Sequence, residues 1–390
     1  MPHICVITTV HQLDDVRVRS KFVDHWLASG FQVTWVGPVS PSVPAGARTA
    51  PRFELIALDP PRGRLGRLRM PYRLGHAAAA VSGADVYYAP DPDSAPVAVR
   101  LARRMGATSL FDIHEAFHGA MLDRWTMGVP VPPLKLLVKG RMRSVARRCD
   151  VVIAVNDTLL ATYADRHPSA MRVRSCAPSW FGAPSPDRRQ AGGGEPLRLF
   201  HGKNDPGRGT LAVLRGIRRA LDHGCGPVRV VMMDTLPAGG VEARQFGQLI
   251  DELGVREAIE LRPRLTHREM PAVIAGCHAG LIAYGRDLGG DSLPNRIFEY
   301  MATGLAIVVP AYAPEMVGIV EAERCGILTD FEDPDAIAAA IQRLAADPAG
   351  CLAMGNQARA GFLERHNWEH EIGPLDAWIV RHVRGGAGTA

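Results

Sequence analysis

The chain has 390 residues, 47% of them hydrophobic and 22% charged, with a formal net charge of +5. That length accommodates two domains with full cores, and the composition is that of a soluble globular protein rather than a disordered or fibrous one. The charge is mild and the basic residues do not alternate with aromatics, so nothing points to a nucleic-acid partner.

The opening run MPHICVITTV lacks a basic leader and a long apolar core, and it reads as a first strand rather than a signal peptide. Strands are expected near 3–9, 31–36, 53–58, 84–88, 108–113, 150–155 and 171–175. Helices are expected near 15–29, 66–82, 93–105, 133–148 and 157–165. Residues 185–196, SPDRRQAGGGEP, are rich in Pro, Gly and charge and read as a linker. The alternation restarts at Leu197, with strands near 197–200, 228–233, 258–261, 279–283, 305–309 and 326–329. Helices interleave them near 209–222, 241–253, 268–275, 295–303, 314–322, 334–346 and 349–365. Strand–helix alternation of this kind predicts two α/β domains with doubly wound parallel sheets. The expected boundaries are 1–184 for the first domain and 197–366 for the second. A last helix, 367–384, is free to pack back on the first domain, and 385–390 is a disordered tail. The seven cysteines are scattered, without CxxC or a Cys/His cluster. That suits reduced thiols in a cytoplasm and argues against structural zinc. No apolar run approaches the length of a membrane span.

Candidate functional segments sit where strands end, because ligands of open α/β sheets bind at the carboxyl ends of strands. HQLDDVRVRSK, residues 11–21, is a polar loop entering a helix, with Asp14 or Asp15 as N-cap. It is read either as capping plus a surface charge pair or as a functional loop. FDIHEAFH, residues 111–118, places His114 and Glu115 at a strand end. His114 and His118 lack the Glu-x-x-His arrangement of a zinc protease helix, so no metal is expected there. The stretches 61–76 and 134–148 mix Leu, Met or Val with Arg or Lys at helical spacing. They are read as a weak peripheral membrane or anionic-acceptor contact, or as solvated helix faces over a core.

In the second half, FHGKNDPGRGT (200–210) follows a strand. Gly202, Gly207 and Gly209 let backbone approach a ligand, while Lys203 and Arg208 can neutralise phosphate. The following segment ELRPRLTHREM (260–270), with Arg262, is either the edge of a nucleobase site or a helix lead-in. The stretch DSLPNRIFEYMATGLAIVVP (291–310) holds two carboxylates, Asp291 and Glu299, around a helix start with Pro294. A helix N-terminus favours an anion, and carboxylates accept hydrogen bonds from sugar hydroxyls.

Together these residues resemble a GT-B glycosyltransferase, most closely glycosyltransferase family 4. Gly202-Lys203 and Arg208-Gly209 stand where that family has Gly-Arg and Lys-Gly, with the basic types exchanged. Asp291 and Glu299 align with its Glu-x7-Glu, the first acid being one methylene shorter. PNRIFEYMATG is similar to bacterial polysaccharide, glycolipid and natural-product sugar transferases, and His11, Asp15, Arg17 and Lys21 match a pattern found among them. The resemblance implies two Rossmann-like domains facing across a cleft, in a cytoplasmic enzyme, in some cases peripheral at the inner membrane face. It implies a nucleoside-diphosphate sugar as donor, no cofactor, no required metal, retention of anomeric configuration, and a hydroxyl acceptor on a glycan, lipid or small molecule. Lys203 and Arg208 would hold the diphosphate, and the backbone of Ser292, Leu293, Pro294 and Asn295 would cap it. Glu299 would take the ribose, Asp291 the donor sugar, and Arg262 would lie on the donor side. His114 would face the donor sugar, with His11, Asp15, Arg17 and Glu115 on the acceptor side. Two other functions use the same scaffold: a nucleotide-sugar 2-epimerase, and a catalytically silent binding subunit.

Overall fold

The computed structural model describes residues 1–40, 50–115, 132–182, 195–289 and 292–385. Two compact units divide the chain: Met1–Arg174 with Ile372–Ala390, and Ser175–Glu371. Most of the linker stretch, Asp291 and nearly all of the tail lie outside the described residues.

The first unit is built on seven strands: β1 (His3–Ile7), β2 (Gln32–Pro38), β3 (Phe53–Leu58), β4 (Val86–Ala89), β5 (Thr108–Ile113), β6 (Val151–Ala154) and β7 (Ala170–Arg172). Their order is β3-β2-β1-β4-β5-β6-β7, and the paired strands are parallel. Central strands of a sheet covered on both faces need continuous apolar runs, and HICVI of β1 and VVIA of β6 are buried throughout. Helix Ala95–Met105 shows how the flanking layer forms. Pro96 sits in its first turn, Gly106 ends it at φ 67°, and its apolar face is buried. Arg100, Arg103 and Arg104 stay exposed on the other side.

Residues 15–29 depart from the expected regular helix. Val16–Val23 is a π-helical stretch, followed by a short α-helix, Asp24–Ala28. The Asp15 carbonyl accepts from both Arg19 and Ser20 amides, each at 3.1 Å. Apolar periodicity does not separate i→i+4 from i→i+5 bonding, so only the backbone reveals the wider turn. This stretch buries Arg17 and Lys21 along with Val18, Phe22 and Val23. The helix expected at 66–82 runs instead from Gly63 to Ala78, with Pro71 inside it.

The second unit repeats the plan with β8 (Leu197–Lys203), β9 (Val228–Met233), β10 (Ile259–Arg262), β11 (Ala279–Leu281), β12 (Ala306–Pro310) and β13 (Gly326–Thr329), in the order β10-β9-β8-β11-β12-β13. All its strand pairs are parallel too. In each unit the chain reverses its stepping direction beside the first strand, between β1 and β4 and between β8 and β11. Such a switch point leaves a crevice at the strands' carboxyl ends. Helix Arg296–Thr303 follows β11, and its Ile297, Phe298, Tyr300 and Met301 are fully buried. The last helix, Trp368–Gly385, anchors in the first unit through Asp376, which accepts from Trp26 Nε1 at 3.1 Å and meets His25 Nε2 at 2.6 Å.

Candidate functional site

At the carboxyl end of β8 the ladder is irregular between Phe200 and Gly202, so His201 is left over as a bulge. Gly202 has φ +90°, and a Cβ there would stand 2.6 Å from Arg296 Nη1. Gly209 has φ +79°, and a Cβ there would stand 1.8 Å from the Ala283 carbonyl oxygen. Both glycines therefore make room for this chain's own groups as well as for any ligand. The Arg296 guanidinium donates Nη1–H to the His201 carbonyl and lies 5.4 Å from the Tyr284 ring centroid. Its Nη2 is buried with no hydrogen-bond partner among the described residues. A buried guanidinium nitrogen left unpaired is costly, and an oxyanion is what satisfies it.

Arg208 shares Tyr284 with Arg296, and Lys203 and Arg264 belong to the same group of interacting charges. Arg208 donates to the Tyr284 hydroxyl at 2.9 Å and pairs with Asp205 at 3.3 Å. Lys203 is exposed at the strand end. Its ammonium is pulled below the ordinary lysine range by desolvation and by Arg208, Arg264 and Arg296. The same arginines act on His201, whose pKa is driven down to about 3, first by burial and then by Arg296 and Arg208. His201 is thus a neutral residue that hydrogen-bonds Thr210 Oγ1 at 3.0 Å. Repulsion among these cations is relieved by a polyanion.

Glu299 sits one turn into helix Arg296–Thr303 and is 8% exposed. His267 Nε2 stands 3.4 Å from its Oε1. Ser292 to Asn295 lead into the helix, half-buried, and Asn295 occupies the N-cap position without a side-chain cap bond. Pro294 lies just before that cap rather than inside the first turn. Arg262, at the end of β10, is exposed, and its Nε donates to Glu260 at 2.6 Å. Asp291 lies outside the described residues.

The first unit carries a separate polar cluster at the carboxyl ends of β1, β4 and β5. Asp91, just after β4, accepts from Thr8 Oγ1 at 2.8 Å and Thr9 Oγ1 at 2.6 Å, joining two loops. His11 Nδ1 meets Asp15 Oδ2 at 2.9 Å, while Asp15 Oδ1 caps the following turn through the Val18 amide at 2.7 Å. Burial opposes charge on both, but their mutual hydrogen bond prevails, raising the His11 pKa and lowering that of Asp15. The His11 and His114 ring centroids are 5.2 Å apart. Burial lowers the His114 pKa, with Arg17 adding to the effect against Asp112. Glu115 is exposed beside it.

Arg17 is placed differently from an open acceptor-side group. It is 7% exposed, and Nε and Nη2 grip Asp112 at 2.9 and 2.8 Å, with Nη2 also on the Val173 carbonyl at 3.1 Å. Tyr88 donates to Asp112 at 2.7 Å. The structure thus brings together Lys203, Arg208, Gly202 and the 292–299 segment in one unit, and His11, Asp15 and His114 in the other. Asp112, Arg264 and His267 lie inside segments the sequence singles out but carry no role assigned there, and Tyr284 lies outside those segments. Asp112 occupies an apparently apolar strand, and the others gain meaning only from their neighbours in space. Among the described residues no cluster of His, Cys, Asp and Glu has the makings of a metal site.

Residues 232–376 match the family model described as glycosyl transferase-like. A search of curated protein sequences gives no match. Among solved structures the chain is similar to sucrose-phosphate synthase from Thermosynechococcus elongatus, at TM-score 0.75 and 17% identity, covering 99% of this chain and 100% of that one. It is also similar to Anabaena HepE in complex with UDP, at TM-score 0.73 and 15% identity, covering 98% and 100%. A third is the α,α-trehalose 6-phosphate synthase of Burkholderia multivorans, at TM-score 0.69 and 15% identity, covering 99% and 98%. Residues 232–376 thus carry a glycosyl transferase-like domain, and nearly the whole chain shares the two-sheet α/β fold of these structures.

Proposed function

We propose that the protein transfers a sugar from a uridine diphosphate donor to an acceptor hydroxyl. The observation that carries this reading is Arg296 packed against Gly202, its buried Nη2 unpaired among the described residues, with Arg208, Arg264 and Arg296 all close enough to act on the charge of Lys203. Uridine is chosen because HepE, similar in fold, is seen with UDP and with UDP-glucose. In this reading Lys203 and Arg208 bind the diphosphate, the buried Arg296 adds a further donor, and Glu299 accepts from the ribose hydroxyls. The 292–295 backbone supplies amides at the helix start, and Asp291 reaches toward the sugar. As the glycosidic bond breaks, the leaving diphosphate gains negative charge, which pre-placed cations stabilise without reorganising. Cations already in place can take the role a metal plays elsewhere, and metal-independent transfer with retention, as the family resemblance implies, is part of the proposal. His11, held by Asp15, and His114 are the acceptor-side groups, with Arg17 acting as their buried support.

The exposed Leu65, Leu68 and Tyr72 of helix Gly63–Ala78 and Leu136 and Leu137 of helix Pro132–Ala146 lie among arginines and lysines. They suit a weak contact with an anionic membrane surface and hence a lipid-linked acceptor. No described helix is long and apolar enough to cross a membrane.

The deciding experiment is a thermal-shift panel of nucleoside diphosphates and nucleotide sugars, followed by turnover with the best donor. UDP and its sugars should raise the melting midpoint. Lys203→Ala and Glu299→Ala should abolish transfer while leaving the unliganded midpoint near wild type. Full activity in either variant refutes the site. An epimerised sugar nucleotide formed without acceptor would replace transferase by isomerase.

A further inference from the structure

His267 is not explained by the donor site as described so far. It lies in the loop after β10, and its imidazole is packed against two aromatic rings. The Trp180 centroid is 5.4 Å away edge-on and the Phe181 centroid 5.1 Å away, tilted. Both rings belong to the turn Ser179–Gly182, which is itself tied down: the Ser179 amide donates to Glu369 at 3.0 Å, and the Gly182 carbonyl accepts from Arg359. The imidazole therefore has little freedom to rotate. Both of its nitrogens are buried without a hydrogen-bond partner among the described residues. Nε2 nevertheless lies 3.4 Å from Glu299 Oε1, with side-chain exposures of only 14% and 11%. Among the described residues His267 is the basic side chain in ion-pair range of Glu299. A nearly dry carboxylate and a nearly dry imidazole whose nitrogens lack partners among the described residues gain by closing that gap.

We propose that His267 is a positioning residue for ribose recognition: it donates Nε2–H to Glu299 Oε1 and so leaves Oε2 directed at the ribose hydroxyls. The inference rests on the reading of Glu299 as the ribose acceptor. Its physical content is preorganisation. A glutamate has three side-chain torsions, and a carboxylate already anchored at one oxygen loses less freedom when a hydroxyl binds the other. Trp180 and Phe181 act one step further out, by fixing the imidazole plane.

The test is calorimetric binding of UDP and of 2′,3′-dideoxy-UDP to the full chain, since only the first offers ribose hydroxyls. The wild type should prefer UDP by about tenfold or more, the scale of hydrogen bonds to a charged group. Glu299→Ala should erase that preference. If it does not, the ribose reading itself fails. His267→Phe preserves aromatic packing but has no donor, and it should reduce the preference to about twofold with dideoxy-UDP affinity unchanged. His267→Gln, which offers an N–H, should recover most of the preference. Loss of preference in Glu299→Ala but not in His267→Phe overturns the positioning role while the ribose reading stands. Equal weakening of both ligands by His267→Phe also overturns it, since that is the mark of a merely structural residue. Failure of the wild type to bind UDP overturns the donor reading and this inference together.

Discussion

Replacing Arg17 by Leu isolates the energetics beneath the first unit's polar cluster. In the wild type, Asp112 is fully buried and receives two hydrogen bonds from Arg17, at 2.9 and 2.8 Å, and one from Tyr88 at 2.7 Å. The leucine leaves that carboxylate with Tyr88 and with His114 Nδ1 at 3.8 Å. Breaking one side of a buried ion pair costs about 3–5 kcal/mol, because the surviving charge is desolvated and uncompensated. For a unit of this size that lowers the melting midpoint by about 10 °C. The pH dependence follows from Asp112. Burial raises its pKa, but Arg17, with smaller help from His114 and Tyr88, outweighs burial and holds it below the ordinary value of 3.8. A depressed carboxylate stabilises the fold above its unfolded pKa, and that stability is lost only as pH falls through the folded value. Without Arg17, only the Tyr88 hydrogen bond and the nearby His114 still oppose burial, so the folded pKa should rise and acidification should cost the variant less than the wild type. The deficit should therefore shrink between pH 7 and pH 4.5. Hydrogen exchange of the β1, β5 and β6 amides reads this unit by itself. Adding Asp112→Asn should recover about 2 kcal/mol by removing the stranded charge. A deficit under about 1 kcal/mol, or one that does not change with pH, refutes the reasoning.

Gly209→Ala should destabilise the second unit by about 2 kcal/mol or more, since φ is +79° and the new Cβ would stand 1.8 Å from the Ala283 carbonyl oxygen. Melting curves with and without UDP check it, and an undisturbed midpoint with a full UDP shift would contradict it. His11→Gln should cost under about 1 kcal/mol, because the pair with Asp15 is partly exposed. His11 has a raised folded pKa, so its contribution is complete below the ordinary value of 6.5 and vanishes as pH climbs through the raised one. The difference from wild type should be larger at pH 5.5 than at pH 8.5 in denaturant titrations, and the opposite trend would be a refutation.

The sequence alone determined the two α/β repeats, because burial on both faces of a parallel sheet forces short apolar runs that alternate with amphipathic helices. It also marked Lys203, Arg208 and His114 as candidates, since strand ends are where polar and glycine residues interrupt those runs, and Glu299 as a carboxylate just inside a helix start. Tertiary structure decided what sequence spacing does not encode. Arg17, in a polar loop motif, is spent on Asp112, 95 positions away. The π-helical turn at Val16–Val23 was invisible because helical periodicity looks the same for either hydrogen-bond register. Gly202 proved to be shaped around Arg296 and Gly209 around the Ala283 carbonyl, and His267 met Glu299 only through folding. Local pattern records which face of an element is buried. Which charge neutralises which depends on Coulomb and hydrogen-bond contacts over a few ångströms, and those are set by the fold.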